Sequence, residues 1–211
     1  MEYFISGVIG YLLGSIPTAY LVLKKFKNID ITEGGSGNVG TMNSYRTTSS
    51  KLIGGMVLVI DLLKGLLSVL ITKLIFGEVF IYPAVALIFA VFGHCYSPWI
   101  KFKGGRGLAT AAGGAILLSI PVLILWLLFF AIGFLFRKNV HFANASSTFL
   151  TGAVCVSTGN ILSRWSSPPA ESAEEFGILI AIMLTIIFIR HIKPLKKYYQ
   201  NQKNQIGKSR S

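Results

Sequence analysis

The sequence predicts an all-α integral membrane protein with seven transmembrane helices, its N-terminus outside and its C-terminus cytoplasmic. Three observations predict it. Apolar stretches near the ~20 residues needed to cross a bilayer recur along the chain. Charged residues make up 13% of the sequence. That is about half the share usual in soluble domains. The Lys and Arg residues gather in alternate connections, as cytoplasmic segments require.

Each element can be justified in turn. Tyr3–Leu23 is the first apolar stretch. It follows Glu2 rather than a basic segment, and its basic cluster (Lys24, Lys25, Lys27) lies after it. That is the pattern of a retained anchor with an external N-terminus. Leu52–Phe76 and Val79–Trp99 come next. Gly107–Phe136 is too long for one ordinary span, and Pro121 in Ser119-Ile120-Pro121 cannot continue a helical ladder. Two shorter helices are therefore expected there. Ala143–Leu162 is interrupted by small polar residues, and Phe176–Ile189 closes the series. Residues 1–198 form one polytopic membrane domain, and residues 199–211 a basic, polar tail that is loose beyond Tyr199.

With seven crossings, every Lys and Arg except Lys64, Lys73 and Arg164 faces the cytoplasm, while Glu2, Glu78, Glu171, Glu174 and Glu175 face outside. Six crossings would put the basic tail outside. The positive-inside rule selects seven. The net charge of +12 is largely this bias, so the tail meets anionic lipid headgroups rather than nucleic acid. Cys95 and Cys155 fit no metal spacing and read as reduced packing residues. No metal and no obligate protein partner is inferred.

Gly35, Gly37 and Gly40 match the G-x-G-x-x-G turn of dinucleotide-binding folds, with Asp61 twenty-one residues later. That fingerprint needs a strand before it and a βαβ unit around it. Here membrane helices flank the loop and Asp61 lies mid-span, so the match is coincidental. No Lys-Ser or Lys-Thr closes a phosphate loop of the Walker type either. What remains is two glycine-rich loops on the cytoplasmic face, GGSGNVGTMNSYR and KFKGGRGLATAAG. Glycines let backbone N–H groups converge on an anion, and a following helix adds its positive end. Ser36, Asn38, Thr41, Asn43 and Arg46 in the first, with Lys101, Lys103 and Arg106 in the second, read as a site for two phosphates.

These stretches, with YLLGSIPTAYLVLK, DLLKG, GHCYSPWIKFKGGRGLAT and IRHIK, resemble in order and spacing the bacterial acyl-phosphate:glycerol-3-phosphate acyltransferases, the PlsY family. The resemblance covers nearly the whole chain. It implies a seven-helix protein of the bacterial inner membrane, with its active site at the cytoplasmic face. It implies transfer of a fatty acyl group from acyl phosphate to the sn-1 hydroxyl of glycerol 3-phosphate, giving lysophosphatidate and phosphate without cofactor or metal. Residue by residue, it points to Ser36, Asn38, Arg46 and His191 for catalysis. Substrate and phosphate binding fall to Gly35, Gly37, Thr41, Asn43, His94, Lys103, Gly104, Gly105, Arg106 and Gly107. The chain departs from the family at several points. Arg106 stands where Lys is usual, Met42 where Thr is, and His141 in the place of a Ser. Pro194 replaces the Asn of the third motif, and no acid follows Glu175.

The chemistry is consistent with such a site. Acyl phosphate carries a good leaving group, so bringing two anions together is the main task, and oriented donors and positive charge perform it. Ser36 reads as a substrate ligand rather than a nucleophile, because no acid–histidine pair accompanies it. His191 or His94 can accept the hydroxyl proton, as can the leaving phosphate. Asp61 and Lys64, three apart on one helix face within the membrane, are equally a functional pair or a structural one. Two other classes remain. One is an anion transporter with that pair along its path. The other is a divergent relative that acylates another polyol phosphate, or that binds phosphate or lipid without catalysis.

Overall fold

The computed structural model describes residues 1–208, which contain helices and no strand. In chain order the helices are α1 (Glu2–Ser15), α2 (Thr18–Lys27), α3 (Thr41–Thr48), α4 (Lys51–Phe76), α5 (Ile81–Cys95), α6 (Leu108–Leu118), α7 (Ile120–Arg137), α8 (Val140–Ser157), α9 (Gly159–Leu162) and α10 (Ala173–Lys208). Five stretches are long and apolar enough to cross a membrane: Glu2–Lys27, Lys51–Phe76, Ile81–Ile100, Ile120–Arg137 and Ala173–Asn204. Helix α6 is apolar but has only 11 residues.

Two breaks have the same cause. Pro121 sits in the first turn of α7, and Ser119 before it is extended, with φ −162° and ψ 90°. This is the break expected from the sequence. The first stretch, expected as a single helix, also breaks, at Ile16-Pro17. Proline disfavours a helical residue before it and offers no N–H. Side chains from elsewhere take the carbonyls exposed at this elbow. Lys64 Nζ donates to Ile16 O, Ser97 Oγ donates to Ser15 O, and Trp99 Nε1 donates to Ser15 Oγ at 3.1 Å.

Helices approach closely where glycines allow it. A Cβ at Gly10 or Gly14 of α1 would collide with the backbone of Ala86 or Ala90 of α5, and one at Gly65 of α4 with Thr110 of α6. Small residues four apart let backbones touch, which is how helices associate where water provides no hydrophobic drive. Helix α7 buries only Val122 and Gly133. Its exposed Leu127, Leu128, Ile132 and Leu135 suit contact with hydrocarbon. Several buried hydroxyls of α8 bond within the helix, whereas that of Thr151 has no partner among the described residues. Thr148 Oγ1 donates to Asn144 O at 2.7 Å and accepts from Trp126 Nε1 at 3.1 Å, as burial away from water demands.

Helix α10 runs through Pro194 to Lys208. The expected loose segment beyond Tyr199 is therefore helical as far as Lys208. Its Lys, Gln and Tyr residues are compatible with a helix, and their polarity had suggested a coil.

Candidate active site

The first glycine loop curls over the start of α3. Gly35 and Gly37 take φ of 58° and 68°, the left-handed region that side chains disfavour. Asn43 staples the loop. Its Oδ1 accepts from Ser36 N at 3.0 Å, and its Nδ2 donates to Gly34 O and Asn38 O, both at 3.0 Å. Asn43 was expected to contact substrate, but these bonds engage its amide with the loop itself. The Ser36 hydroxyl makes no hydrogen bond to another described residue and faces open space.

The second loop leaves α5 and returns under it. Gly105 N donates to His94 O at 3.0 Å, and Val39 N donates to Gly104 O at 3.3 Å, which joins the two loops. Arg190 of α10 lies over the ring of Tyr96, 5.0 Å from its centroid, and forks onto Gly105 O and Gly104 O, each at 3.0 Å. A Cβ at Gly104 would fall on the backbone of His94 and Cys95, and one at Gly105 on the His94 ring. The sequence suggested that Gly104 and Gly105 present N–H groups to phosphate. In the structure the Gly105 N–H is taken by His94 O, and both glycines lie where a Cβ would clash. The N–H groups at this end that make no hydrogen bond to another described residue include that of Gly104 and those of the first turn of α6, after Gly107 (φ 81°).

A cavity of about 400 Å³ opens between these loops. Ser36, Asn38, Thr41, Asn43 and Arg46 line it from the first loop and α3, and Arg106 and Gly107 from the second. Asp61 and His94 line it from α4 and α5, His141 and Asn144 from α8, and His191 from α10. Leu58, Leu62, Leu108 and Ala112 complete an apolar side.

The cavity is short of negative charge. Asp61, nearly fully buried, pairs with Lys64 at 2.8 Å, and His94 Nδ1 lies 3.7 Å from the same oxygen. Among the described residues Arg46, Arg106 and Arg190 have no carboxylate partner. Burial, then the charges of Arg190 and Arg46, hold the Arg106 guanidinium below its usual range. An anion in the cavity relieves this repulsion. His191 is fully buried, and its Nδ1 lies 2.8 Å from Ile187 O. A carbonyl only accepts, so Nδ1 carries the hydrogen, and Nε2, without a partner, is left as the basic nitrogen.

The matching family model, glycerol-3-phosphate acyltransferase, covers residues 4–201. The chain belongs to the glycerol-3-phosphate acyltransferase family. The glycerol-3-phosphate acyltransferase of Pelagibacter ubique is 33% identical over 198 residues, covering 93% of this chain and 94% of that one. The Bacillus subtilis protein of the same name is 41% identical over 149 residues, covering 71% and 74%. Among solved structures, PlsY, an integral membrane glycerol 3-phosphate acyltransferase, in its glycerol 3-phosphate form gives a TM-score of 0.76 at 26% identity, covering 95% of this chain and 94% of that one. Its lysophosphatidic acid form gives 0.74 at 27% identity, covering 95% and 93%. The chain is thus an integral membrane protein of this acyltransferase family.

In this family member the structure gathers most of the residues singled out in the sequence. Gly35 borders an adjoining space of about 340 Å³, shared with Ser36, Arg46, Thr47 and Lys197. Gly37, Gly104 and Gly105 support the loops from behind the wall, and Lys103 reaches Thr32 Oγ1 at 3.5 Å instead. Sequence reasoning placed Asp61 mid-span and left its pair with Lys64 open between a functional and a structural role, and Asp61 lines the cavity. That reasoning missed Arg190, whose only signal was a guanidinium beside a histidine at the end of an apolar run.

Proposed function

We propose that this acyltransferase-family protein transfers a fatty acyl group from acyl phosphate to the sn-1 hydroxyl of glycerol 3-phosphate, yielding lysophosphatidate and inorganic phosphate. The observation that carries the reading is the cavity itself. Arginines without carboxylate partners and free hydroxyl and amide groups face an apolar wall, which suits two phosphates and one acyl chain. Arg46 and Arg106 offset the repulsion between the substrates, and Ser36 and Asn38 donate hydrogen bonds to phosphate oxygens. The acceptor oxygen attacks the acyl carbon, the carbon–oxygen bond to phosphate breaks, and phosphate leaves with the electron pair. His191 Nε2 takes the hydroxyl proton. His94 is less suited to this, because one of its nitrogens faces Asp61 and the other the Gly105 backbone. Much of the acceleration comes from holding the reactants together, worth up to roughly 7–11 kcal/mol.

The charge distribution supports seven crossings, with the N-terminus outside and the cavity at the cytoplasmic face, and the family resemblance supports a bacterial inner membrane. A second reading, in which the acceptor is another polyol phosphate, is favoured by Pro194 at the position of the third-motif Asn. Purified protein given labelled palmitoyl phosphate and glycerol 3-phosphate should release lysophosphatidate acylated at position 1 and an equal amount of phosphate. Acid quenching without acceptor should leave the protein unlabelled. Turnover of acyl thioesters alone would sink the donor assignment. Stable label at Ser36 would make the serine a nucleophile, and a faster polyol phosphate would favour the second reading.

A further inference from the structure

Two of the chain's departures from its family meet in space. Arg106 Nη1 lies 3.4 Å from His141 Nδ1, and both side chains line the cavity. Arginine can only donate, so Nδ1 accepts and the hydrogen of neutral His141 resides on Nε2. That Nε2–H makes no hydrogen bond to another described residue. The backbone beneath the ring is anchored. Asn139 Oδ1 caps α8 by accepting from His141 N at 2.9 Å and Phe142 N at 3.0 Å, which fixes the backbone that carries it. The imidazole therefore steadies one edge of the guanidinium and presents a donor of its own beside it. A lysine, as a point charge, would need no such partner, whereas a planar fork has an orientation to hold.

We propose that Arg106 and His141 act as one phosphate-binding unit, with His141 accepting from Arg106 at Nδ1 and donating Nε2–H to a phosphate monoester oxygen in the cavity. The inference rests on the acyl-transfer reading above, and it adds a ligand that the two glycine loops do not supply. The phosphate can belong to the donor or to the acceptor.

The test is a double-mutant cycle of wild type, His141→Ser, Arg106→Lys and the double variant. The readouts are kcat, KM for each substrate, and Kd for inorganic phosphate by calorimetry. His141→Ser should raise KM for one phosphate substrate about tenfold, the scale of a charge-assisted hydrogen bond, with kcat within about twofold. The substrate whose KM moves identifies the source of the phosphate. The double variant should be no weaker than the worse single variant, because each partner's contribution depends on the other. His141→Gln, which keeps a donor near the Nε2 position, should bind better than His141→Asn. Multiplicative losses, a loss confined to kcat, or the reverse Gln and Asn order would overturn the proposal. If wild type transfers no acyl group, the functional reading fails, and the phosphate Kd values on the same four proteins still decide this one.

Discussion

A single methyl group at Gly105 distinguishes a glycine that admits phosphate from one that admits a neighbouring side chain. In the structure the added Cβ would meet His94, with ring carbons Cδ2 and Cε1 both at 2.8 Å. Carbon contacts settle near ~3.5–4.0 Å, so ring or loop must retreat by about 1 Å. Neither moves freely. His94 is 8% exposed and has Asp61 on its other side, while Arg190 and the Gly105 N–H pin the loop. Overpacking of this kind costs about 1–3 kcal/mol, or a fall in Tm of about 5 °C for a chain of this size. Gly105→Ala should therefore lower both Tm and kcat, with KM for glycerol 3-phosphate changed little. The decisive measurement repeats the substitution in a His94→Ala background, where the obstructing ring is absent. There the cost of Gly105→Ala should fall by about 1 kcal/mol or more, a coupling beyond the roughly 0.3–0.5 kcal/mol within which independent sites add. An equal cost in both backgrounds, with KM raised in each, would show that the methyl group meets bound phosphate, and the packing argument would fail.

Other expectations follow from the same geometry. Asp61→Asn leaves the Lys64 ammonium buried without its counter-charge and should cost about 3–5 kcal/mol in thermal unfolding. Adding Lys64→Met should restore most of that stability, and no recovery would contradict a mainly electrostatic cost. Arg190→Lys replaces a fork on two carbonyls by a single point of attachment, so kcat/KM should fall roughly 10–100-fold at normal expression. Wild-type activity would remove Arg190 from loop positioning. Cysteine labelling should place Ser36, Gly104 and Lys196 on the cytoplasmic side and Ser167 outside. Finding Ser167 and Lys196 on one side would reject seven crossings.

What was legible in the sequence was whatever depends on a single segment. Proline at 121 predicts a break because one residue removes a donor and adds a clash, and the structure breaks there. The same rule at Pro17 went unused because hydropathy stays high across it. The two loops were rightly read as neighbours, since both follow basic clusters at one face. The roles inside them were harder. A glycine run looks alike whether a phosphate or a histidine ring lies above it, and only the packed position of His94 separates the cases at Gly105. Asn43 has the same ambiguity, because an amide that binds substrate and one that binds its own loop share a sequence. Asp61 and His94 belong to different helices, and their proximity depends on how α4 and α5 pack. Sequence spacing carries no trace of that.

The elbow at Ile16-Pro17 has a consequence for biogenesis. Its exposed carbonyls and the Ser15 hydroxyl are engaged by Lys64, Ser97 and Trp99, which lie 48, 82 and 84 residues further along the chain. None of these side chains exists when the first apolar segment emerges from the ribosome. Until they arrive, Ile16 O has only the local bond from Thr18 N at 2.9 Å, and Ser15 O in a bent segment would lack a donor in hydrocarbon, a cost of several kcal/mol. The newborn segment is therefore expected to keep the Ser15 carbonyl against water or the insertion machinery, and to settle its final bend after the third apolar segment has entered. The order of synthesis and the order of folding thus run in opposite directions at this joint, and the first helix made is among the last to be finished.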